Sequence, residues 1–181
     1  MKISILLPYK ENFSPEYPGA VSIFLDSVIR NSEFKNNTIV YGNSDYKSVF
    51  KDINYKNINI SEKILGLGSQ TNKYIDQFIK LENKKPSNII EIHNRPLYVS
   101  LLPDSIKKLV LYFHNDPLSM NGSKSLNERM YLLDRCSKII FNSEWSKKRF
   151  LTNIESVYYK SQKLKVINQS TNKQKVDLKK K

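Results

Sequence analysis

The sequence predicts an α/β protein with a Rossmann-like parallel sheet flanked by helices. Short apolar runs rich in β-branched and aromatic residues recur along the chain without clean two-residue alternation, which is typical of strands covered on both faces. Amphipathic segments of helical period lie between these runs. Strands that alternate with helices favour right-handed crossovers and therefore a parallel sheet. The length of 181 residues indicates one domain, with room for a small appendage.

In chain order, the apolar runs predict strands and the periodic segments between them predict helices. The predicted strands are residues 3–7, 38–41, 57–60, 89–92, 109–113, 138–141 and 164–167. The predicted helical faces contain Ala20, Ile23, Phe24 and Val28; Tyr74, Ile75, Phe78 and Ile79; Leu126, Met130 and Leu133; and Trp145, Arg149 and Phe150. Gly66 and Gly68 precede the second helix but lack the third glycine and the first-strand position of a dinucleotide-binding fingerprint, so they are interpreted as a flexible connection.

The net charge of +13 restricts the classes of partner. Such a charge fits nucleic-acid binding, attraction to an anionic membrane, or a solvated lysine coat. The lysines are scattered, and the sequence has neither zinc-finger spacing nor the aromatic signature of an RNA-binding sheet. We therefore expect no nucleic-acid partner and only a weak contact with an anionic membrane surface.

Cysteine content and hydropathy indicate the compartment. Cys136 is the single cysteine, so no internal disulfide can form, and we expect a buried, inert thiol in a reducing environment. The apolar stretch at residues 3–7 is shorter than the roughly 7 to 15 residues of a signal-peptide core. No run reaches the roughly 20 residues of a membrane span. The sequence thus predicts a soluble cytoplasmic protein, peripheral at the inner face of the membrane if it contacts lipid.

Polar clusters follow four of the predicted strands. They are Tyr9-Lys10-Glu11 with a loop to Tyr17-Pro18-Gly19, His93-Asn94-Arg95-Pro96, His114-Asn115-Asp116-Pro117 and Asn142-Ser143-Glu144-Trp145. In an open parallel sheet the carboxyl ends of the strands lie at one edge, and ligands bind there. The sequence therefore predicts a binding site made from these four clusters.

Helix capping is the alternative explanation for most of these residues. Asn, Ser and Asp at such positions are good N-caps, proline fits a first helical turn, and Glu144 suits a helix N-terminus. Capping does not explain His93 and His114, the only two histidines, each directly after a strand. A structural role and a ligand-binding role for the pair both stay open at this point. A zinc site is excluded because there is no His-x-x-x-His spacing and no second cysteine.

Several of these segments, in this order, resemble the N-terminal half of a glycosyltransferase family 4 enzyme with the GT-B fold. They are residues 1–7 with the Pro18-Gly19-Ala20 turn, "NIIEIHNRP" at 88–96, "LVLYFHNDP" at 109–117, "CSKIIFNSEWSKKRFL" at 136–151 and "KLKVINQSTN" at 163–172. Two departures stand out. Pro18 replaces the first glycine of the usual double-glycine turn, and Gln169-Ser170 stands where the family often has Asn-Gly.

The resemblance implies a domain organisation and an activity. Residues 1–170 would form the acceptor-side domain, and residues 171–181 a lysine-rich linker or tail toward a donor-binding domain that this sequence lacks. The implied reaction is transfer, with retention, of a sugar from a nucleotide-sugar donor to a glycan or lipid-linked acceptor in cell-surface polysaccharide synthesis. The resemblance implies no metal and no other cofactor, and a chain that is inactive alone. The alternative function is a non-catalytic sugar- or nucleotide-binding module.

The resemblance also implies roles for individual residues. His114 would lie near the transferred sugar, with Asp116 orienting the acceptor or the histidine; these two are the expected catalytic residues. The Gly19 turn would let the backbone approach a phosphate group. The expected substrate-binding residues are Tyr17, Gly19, His93, Asn94, Arg95, Asn115, Asn142, Ser143 and Glu144.

Overall fold

A parallel sheet forms the centre of the molecule. The computed structural model describes residues 1–60, 69–156, 158 and 161–169. Seven strands pair in the order β3-β2-β1-β4-β5-β6-β7, and every neighbouring pair is parallel. The predicted α/β fold is therefore confirmed. The predicted connection at Gly66–Gly68 and the predicted tail at 171–181 lie outside the described residues.

The elements follow the predicted alternation closely. The strands are β1 (Ile3–Leu6), β2 (Thr38–Gly42), β3 (Tyr55–Asn57), β4 (Ile89–His93), β5 (Leu109–Phe113), β6 (Lys138–Phe141) and β7 (Leu164–Val166). The helices are α1 (Ala20–Arg30), α2 (Gln70–Lys84), α3 (Leu97–Leu101), α4 (Leu126–Arg135) and α5 (Glu144–Phe150). Single 3₁₀ turns cover Lys35–Asn37 and Pro117–Ser119.

Two elements differ from the prediction. The third strand was predicted at 57–60 but lies at Tyr55–Asn57, where it pairs with Val40 to Gly42. Ile58 is buried just beyond the ladder, so its apolar character marks burial and not strand pairing. Helix α3 was not predicted, because a five-residue helix is too short to show a helical period.

The core is asymmetric about the sheet. The larger hydrophobic cluster packs the sheet against α2, α3, α4 and the end of α5, with Leu6, Phe78 and Phe113 fully buried in it. The smaller cluster packs α1 against β1 and β2 through Ile5 and Leu25. Neighbouring residues of β1 thus face opposite clusters, as expected for a strand covered on both faces.

The structure also bears on the predicted cysteine thiol and on membrane-spanning helices. Cys136 is buried at the end of α4, and burial raises the pKa of its thiol to about 12. In the part of the chain that the structure describes, no helix has the length and apolar character needed to cross a bilayer. Within the same residues, no cluster of three or more His, Cys, Asp or Glu side chains could hold a metal ion.

Candidate functional site

The two histidines meet at the carboxyl edge of the sheet. His93 is the last residue of β4, and His114 follows β5 directly. These strands are neighbours in parallel register, so both side chains emerge at the same edge. The His93 Nδ1 and His114 Nε2 atoms lie 2.8 Å apart, and the ring centroids are 5.1 Å apart. The structure therefore brings together the pair on which the sequence prediction depended.

A carboxylate and an amide extend the histidine pair into a chain of hydrogen bonds. Glu91, two residues before His93 on the same face of β4, places Oε1 2.7 Å from His93 Nε2. At the other end, the Gln169 side-chain nitrogen lies against His114 Nδ1. We call Glu91, His93, His114 and Gln169 the histidine relay.

The relay fixes the proton positions on both rings. A carboxylate only accepts, so His93 carries its proton on Nε2 and leaves Nδ1 as an acceptor. His114 therefore donates from Nε2 to His93 Nδ1 and keeps a bare Nδ1. The Gln169 amide donates to that atom. In this arrangement the outer nitrogen of His114 is a hydrogen-bond acceptor.

Burial keeps His114 neutral at physiological pH. The Tyr112 ring stacks on His114 at 4.5 Å and on His93 at 5.3 Å, and Phe24 of α1 contacts the His114 ring edge-on at 5.3 Å. This burial, with the nearby His93, lowers the pKa of His114 to about 3. His93 itself has 0% exposed surface. The site thus presents a neutral imidazole to a ligand and not a cation.

Asparagines hold the backbone around His114. Asn94 takes a left-handed conformation with φ of 54°, and its Oδ1 accepts from the His114 N–H at 3.3 Å. Asn142, at the end of β6, donates from Nδ2 to the His114 carbonyl at 2.7 Å. These side chains position the histidine. Neither is the helix N-cap that the alternative explanation assumed, since Ser143 caps α5 and Pro96 precedes α3.

Asp116 is engaged away from the histidines. Its Oδ1 accepts from the Leu118 N–H at 3.1 Å, which caps the short turn at Pro117–Ser119. Its Oδ2 accepts from Arg149 Nη2 at 3.0 Å. Hydrogen bonding from Arg149 lowers the pKa of Asp116, so its carboxyl is ionised at neutral pH. Among the described residues, its hydrogen bonds involve no histidine.

The glycine turn before α1 is occupied by a carboxylate of the chain itself. The Glu11 side chain accepts from the backbone N–H and the hydroxyl of Ser22, in the first turn of α1. A Cβ atom at Gly19 would lie 2.0 Å from Glu11 Oε1, so glycine is what allows this approach. Nearby, the exposed Tyr17 ring stacks on Tyr46 at 5.9 Å. The predicted phosphate-binding turn is thus capped by Glu11 in this structure.

A polar cavity opens on the other side of the His114 loop. It has a volume of about 510 Å³ and contains Asn94, Arg95, Asn115 and Lys124 among its lining residues. Ser143 and Glu144 stand at the start of α5, where Ser143 accepts from the Ser146 N–H at 3.2 Å and Glu144 is exposed.

Sequence reasoning missed three residues of this region. Glu91 had a usable signal, because a carboxylate two positions before His93 in an otherwise apolar strand shares its face. Gln169 was marked only as a departure from the Asn-Gly of the resembling family, without a role at the site, and Lys124 had no signal. Each reaches its position through the tertiary fold and not through the local sequence pattern.

Comparison with known proteins gives a fold and no family. No protein-family model and no curated protein matches the chain. Among solved structures, Anabaena HepE in complex with UDP and glucose matches with a TM-score of 0.59 over 95% of this chain, at 16% identity. HepE in complex with UDP-glucose matches with the same TM-score at 13% identity. WaaG, a glycosyltransferase involved in lipopolysaccharide biosynthesis, matches with a TM-score of 0.50 over 91% of this chain, at 11% identity.

The matches cover only part of those proteins. This chain spans 45% of the HepE chain and 44% of the WaaG chain. At such low identity the likeness shows the fold alone, a Rossmann-like α/β fold that this chain shares with part of each of those proteins. Membership in family 4 stays a prediction.

Proposed function

We propose that this chain is the acceptor-side domain of a retaining glycosyltransferase, which transfers a sugar from a nucleotide-sugar donor to a glycan or lipid-linked acceptor. The observation that carries the proposal is the histidine relay at the carboxyl edge of the sheet, with a neutral His114 whose outer nitrogen accepts hydrogen bonds. A second domain would supply most of the donor site. The reaction would take place in the cytoplasm, at the inner face of the membrane.

The comparisons support this choice of reaction class. HepE was solved with UDP and with UDP-glucose, and WaaG is a glycosyltransferase of lipopolysaccharide biosynthesis. A nucleotide-sugar donor and a cell-surface polysaccharide product are the corresponding proposals for this chain. We assign no metal and no cofactor to the site.

The chemistry of the relay defines what His114 does in this proposal. Its bare Nδ1 accepts a hydrogen bond, so the matching ligand group is a donor such as a sugar hydroxyl. The Gln169 amide now occupies that position and must move aside when a hydroxyl binds. Glu91 acts through His93, because it fixes the tautomer that leaves Nδ1 of His114 free of a proton. Glu91 and His93 are thus positioning residues.

The other predicted residues have narrower roles in the proposal. Asp116 orders the loop after His114 together with Arg149 and does not donate a proton, because its carboxyl is ionised. Asn94 and Asn142 hold the histidine backbone. Tyr17 supplies an exposed ring on which a sugar can stack. Gly19 allows the α1 N-terminus to meet a donor phosphate once Glu11 withdraws from it.

The proposal is tested by turnover in the full-length parent protein with a panel of sugar nucleotides. We expect one of them to be consumed, and His114→Ala to lower kcat by roughly two orders of magnitude or more, since a positioned contact to the reacting sugar is lost. Glu91→Gln should lower kcat less and alter its pH profile, because the tautomer is no longer fixed. Lys80→Gln, an exposed change on α2, is the control.

Three outcomes would count against the proposal. Near-normal turnover of the His114 variant would remove that residue from the site. Turnover by the isolated 181-residue chain would contradict the need for a second domain. If the parent protein binds a sugar nucleotide but consumes none, the non-catalytic binding module is the correct function.

A further inference from the structure

We propose that the polar cavity beside the His114 loop binds an anionic group of the acceptor, a phosphate or a carboxylate, through Arg95 and Lys124. The proposal rests on the proposed function, and it names the chemistry of the acceptor that the function leaves open. It is carried by the lining of the cavity, by the way the two cations are held, and by the shared contacts with His114.

The cavity has the size and lining of an anion site. Its volume is about 510 Å³, within the range of about 300 to 1,000 Å³ of small-molecule sites. The lining side chains that carry charge are Arg95 and Lys124, and no carboxylate is among the described lining residues. The amides of Asn94, Asn115 and Asn121 supply further hydrogen-bond donors. Such a set favours an anion that bears additional oxygen atoms.

Arg95 is anchored but keeps an open face. Its Nη1 donates to the carbonyl of Asn94 at 2.9 Å, and it also lies beside the hydroxyl of the buried Tyr98. That hydroxyl in turn accepts from the Tyr9 N–H at 2.8 Å. The Arg95 residue is nonetheless exposed, so its remaining N–H groups are open to a ligand.

Lys124 is brought to the cavity by a tight loop. Gly122 takes a φ of 91°, and a Cβ atom there would lie 2.4 Å from the Leu97 nitrogen, so the loop packs closely on the start of α3. The buried Ser123 hydroxyl donates to the Pro117 carbonyl at 2.5 Å. The carboxylate nearest in sequence, Glu128, accepts from Gly122 and Ser125 N–H groups in the capping box of α4. The Glu128 carboxylate is therefore engaged by backbone N–H groups.

Neither cation is neutralised within the described residues. The ion pairs there involve Lys2, Arg30, His93, Arg135 and Arg149, and none includes Arg95 or Lys124. A bound anion would offset both positive charges. An anionic ligand is thus the complement that this part of the chain lacks.

The cavity adjoins the loop that carries His114. Asn94 lines the cavity and also accepts from the His114 N–H at 3.3 Å. Asn115, the residue after His114, lines it as well. An anion held by Arg95 would therefore lie beside the loop that carries His114.

The test uses three probes that share a sugar ring and differ in charge: glucose, glucose 1-phosphate and glucuronate. Each is titrated into the isotope-labelled 181-residue chain and followed by NMR shifts of the Asn94 and Asn115 amides. We expect at least one anionic probe to bind roughly tenfold more tightly than glucose, and raised salt to weaken that preference. Preference for glucose 1-phosphate identifies a phosphorylated acceptor, and preference for glucuronate an acidic glycan.

Two variants and one control locate the effect. Arg95→Gln and Lys124→Gln should each remove most of the preference for the anionic probe. Lys80→Gln removes one charge from the exposed face of α2 and should leave it unchanged. Equal binding of all three probes overturns the proposal, and so does an equal loss in the Lys80 control. Because no donor and no turnover is involved, this result stands apart from the test of the proposed reaction.

Discussion

At the scale of single residues, the neutrality of His114 is the property with most consequences. A histidine at a strand end is ordinarily a group that titrates near neutral pH. Here the stacked Tyr112 ring and the adjacent His93 lower the pKa of His114 to about 3. His114 is thus suited to accept from a hydroxyl over the whole physiological range, and it does not act as an acid or a counter-ion.

The lowered pKa predicts a pH dependence of stability. In the unfolded chain His114 binds a proton below its ordinary pKa of 6.5, whereas in the folded chain it does so only below about pH 3. The stability that depends on neutral His114 is therefore fully present above pH 6.5 and is lost as the pH falls toward 3. We expect His114 to account for a loss of about 2 kcal/mol in the free energy of unfolding between about pH 8 and pH 5. Urea unfolding at several pH values measures it.

His114→Asn is the matched variant for that measurement. It removes the titrating ring, so its stability should decline less steeply over the same pH interval than that of the wild type. Parallel declines in the two proteins would show that other groups cause the pH dependence.

The sequence predicted the positions of the two histidines but not their hydrogen-bonding states. Both histidines were predicted at one edge, because each follows a recognisable strand and parallel strands end together. The tautomer could not be predicted, since it depends on the distance from Glu91 to His93 and on Gln169, which belongs to the segment after β7. The ion pair of Asp116 could not be predicted either, because its partner Arg149 lies on α5, 33 residues further along the chain.

At the scale of elements, the loop between β5 and α4 deserves a mutational test. Gly122 combines a φ of 91° with a Cβ position 2.4 Å from a backbone atom of Leu97. Gly122→Ala should therefore destabilise the protein by about 1 to 3 kcal/mol, because alanine is strained at this φ and the loop must move off α3. Chemical denaturation measures the loss.

Asn121→Ala is the control for the Gly122 variant, since Asn121 is an exposed neighbour without a positive φ. It should change stability by no more than about 0.5 kcal/mol. If the Gly122 variant were as stable as this control, the close packing of the loop on α3 would be wrong.

The elements themselves were well predicted where burial and pairing coincide. The strands at Leu109–Phe113 and Lys138–Phe141 have the predicted bounds, because they are central strands whose apolar residues stop where the ladder stops. β3 is an edge strand with exposed Lys56 and Asn57, so its composition carried no such signal. Strand bounds were thus predicted accurately in the middle of the sheet and less accurately at the edge formed by β3.

At the scale of the whole molecule, the net charge of +13 predicts an electrostatic contact with membranes. We expect the chain to sediment with vesicles that contain phosphatidylglycerol and to be released as salt rises from about 0.05 M to 0.5 M, because surface charges are then screened. Phosphatidylcholine vesicles are the control. Equal binding to both kinds of vesicle, or binding that survives high salt, would contradict a purely electrostatic contact.

The fold class was predictable from the sequence, whereas the order of the strands was not. Alternation of strands and helices specifies a parallel sheet. The alternation of strands and helices does not indicate whether β4 pairs with β1 or with β3. Because β4 pairs with β1, His93 at the end of β4 lies near the glycine turn that follows β1. Long-range packing therefore supplied what the local pattern lacked.

The strand order also determines how the sheet can grow as the ribosome makes the chain. The first strand synthesised pairs through Ile3 with Thr38 on one side and with Ile89 on the other, so one flank waits until β4 emerges. β2 and β3 extend the sheet outward in one direction. β4 then joins β1 on its other side, and β5, β6 and β7 each join the strand made just before them. None of the seven described strands has to insert between two that are already joined, so adding each later strand requires no earlier pairing to be undone.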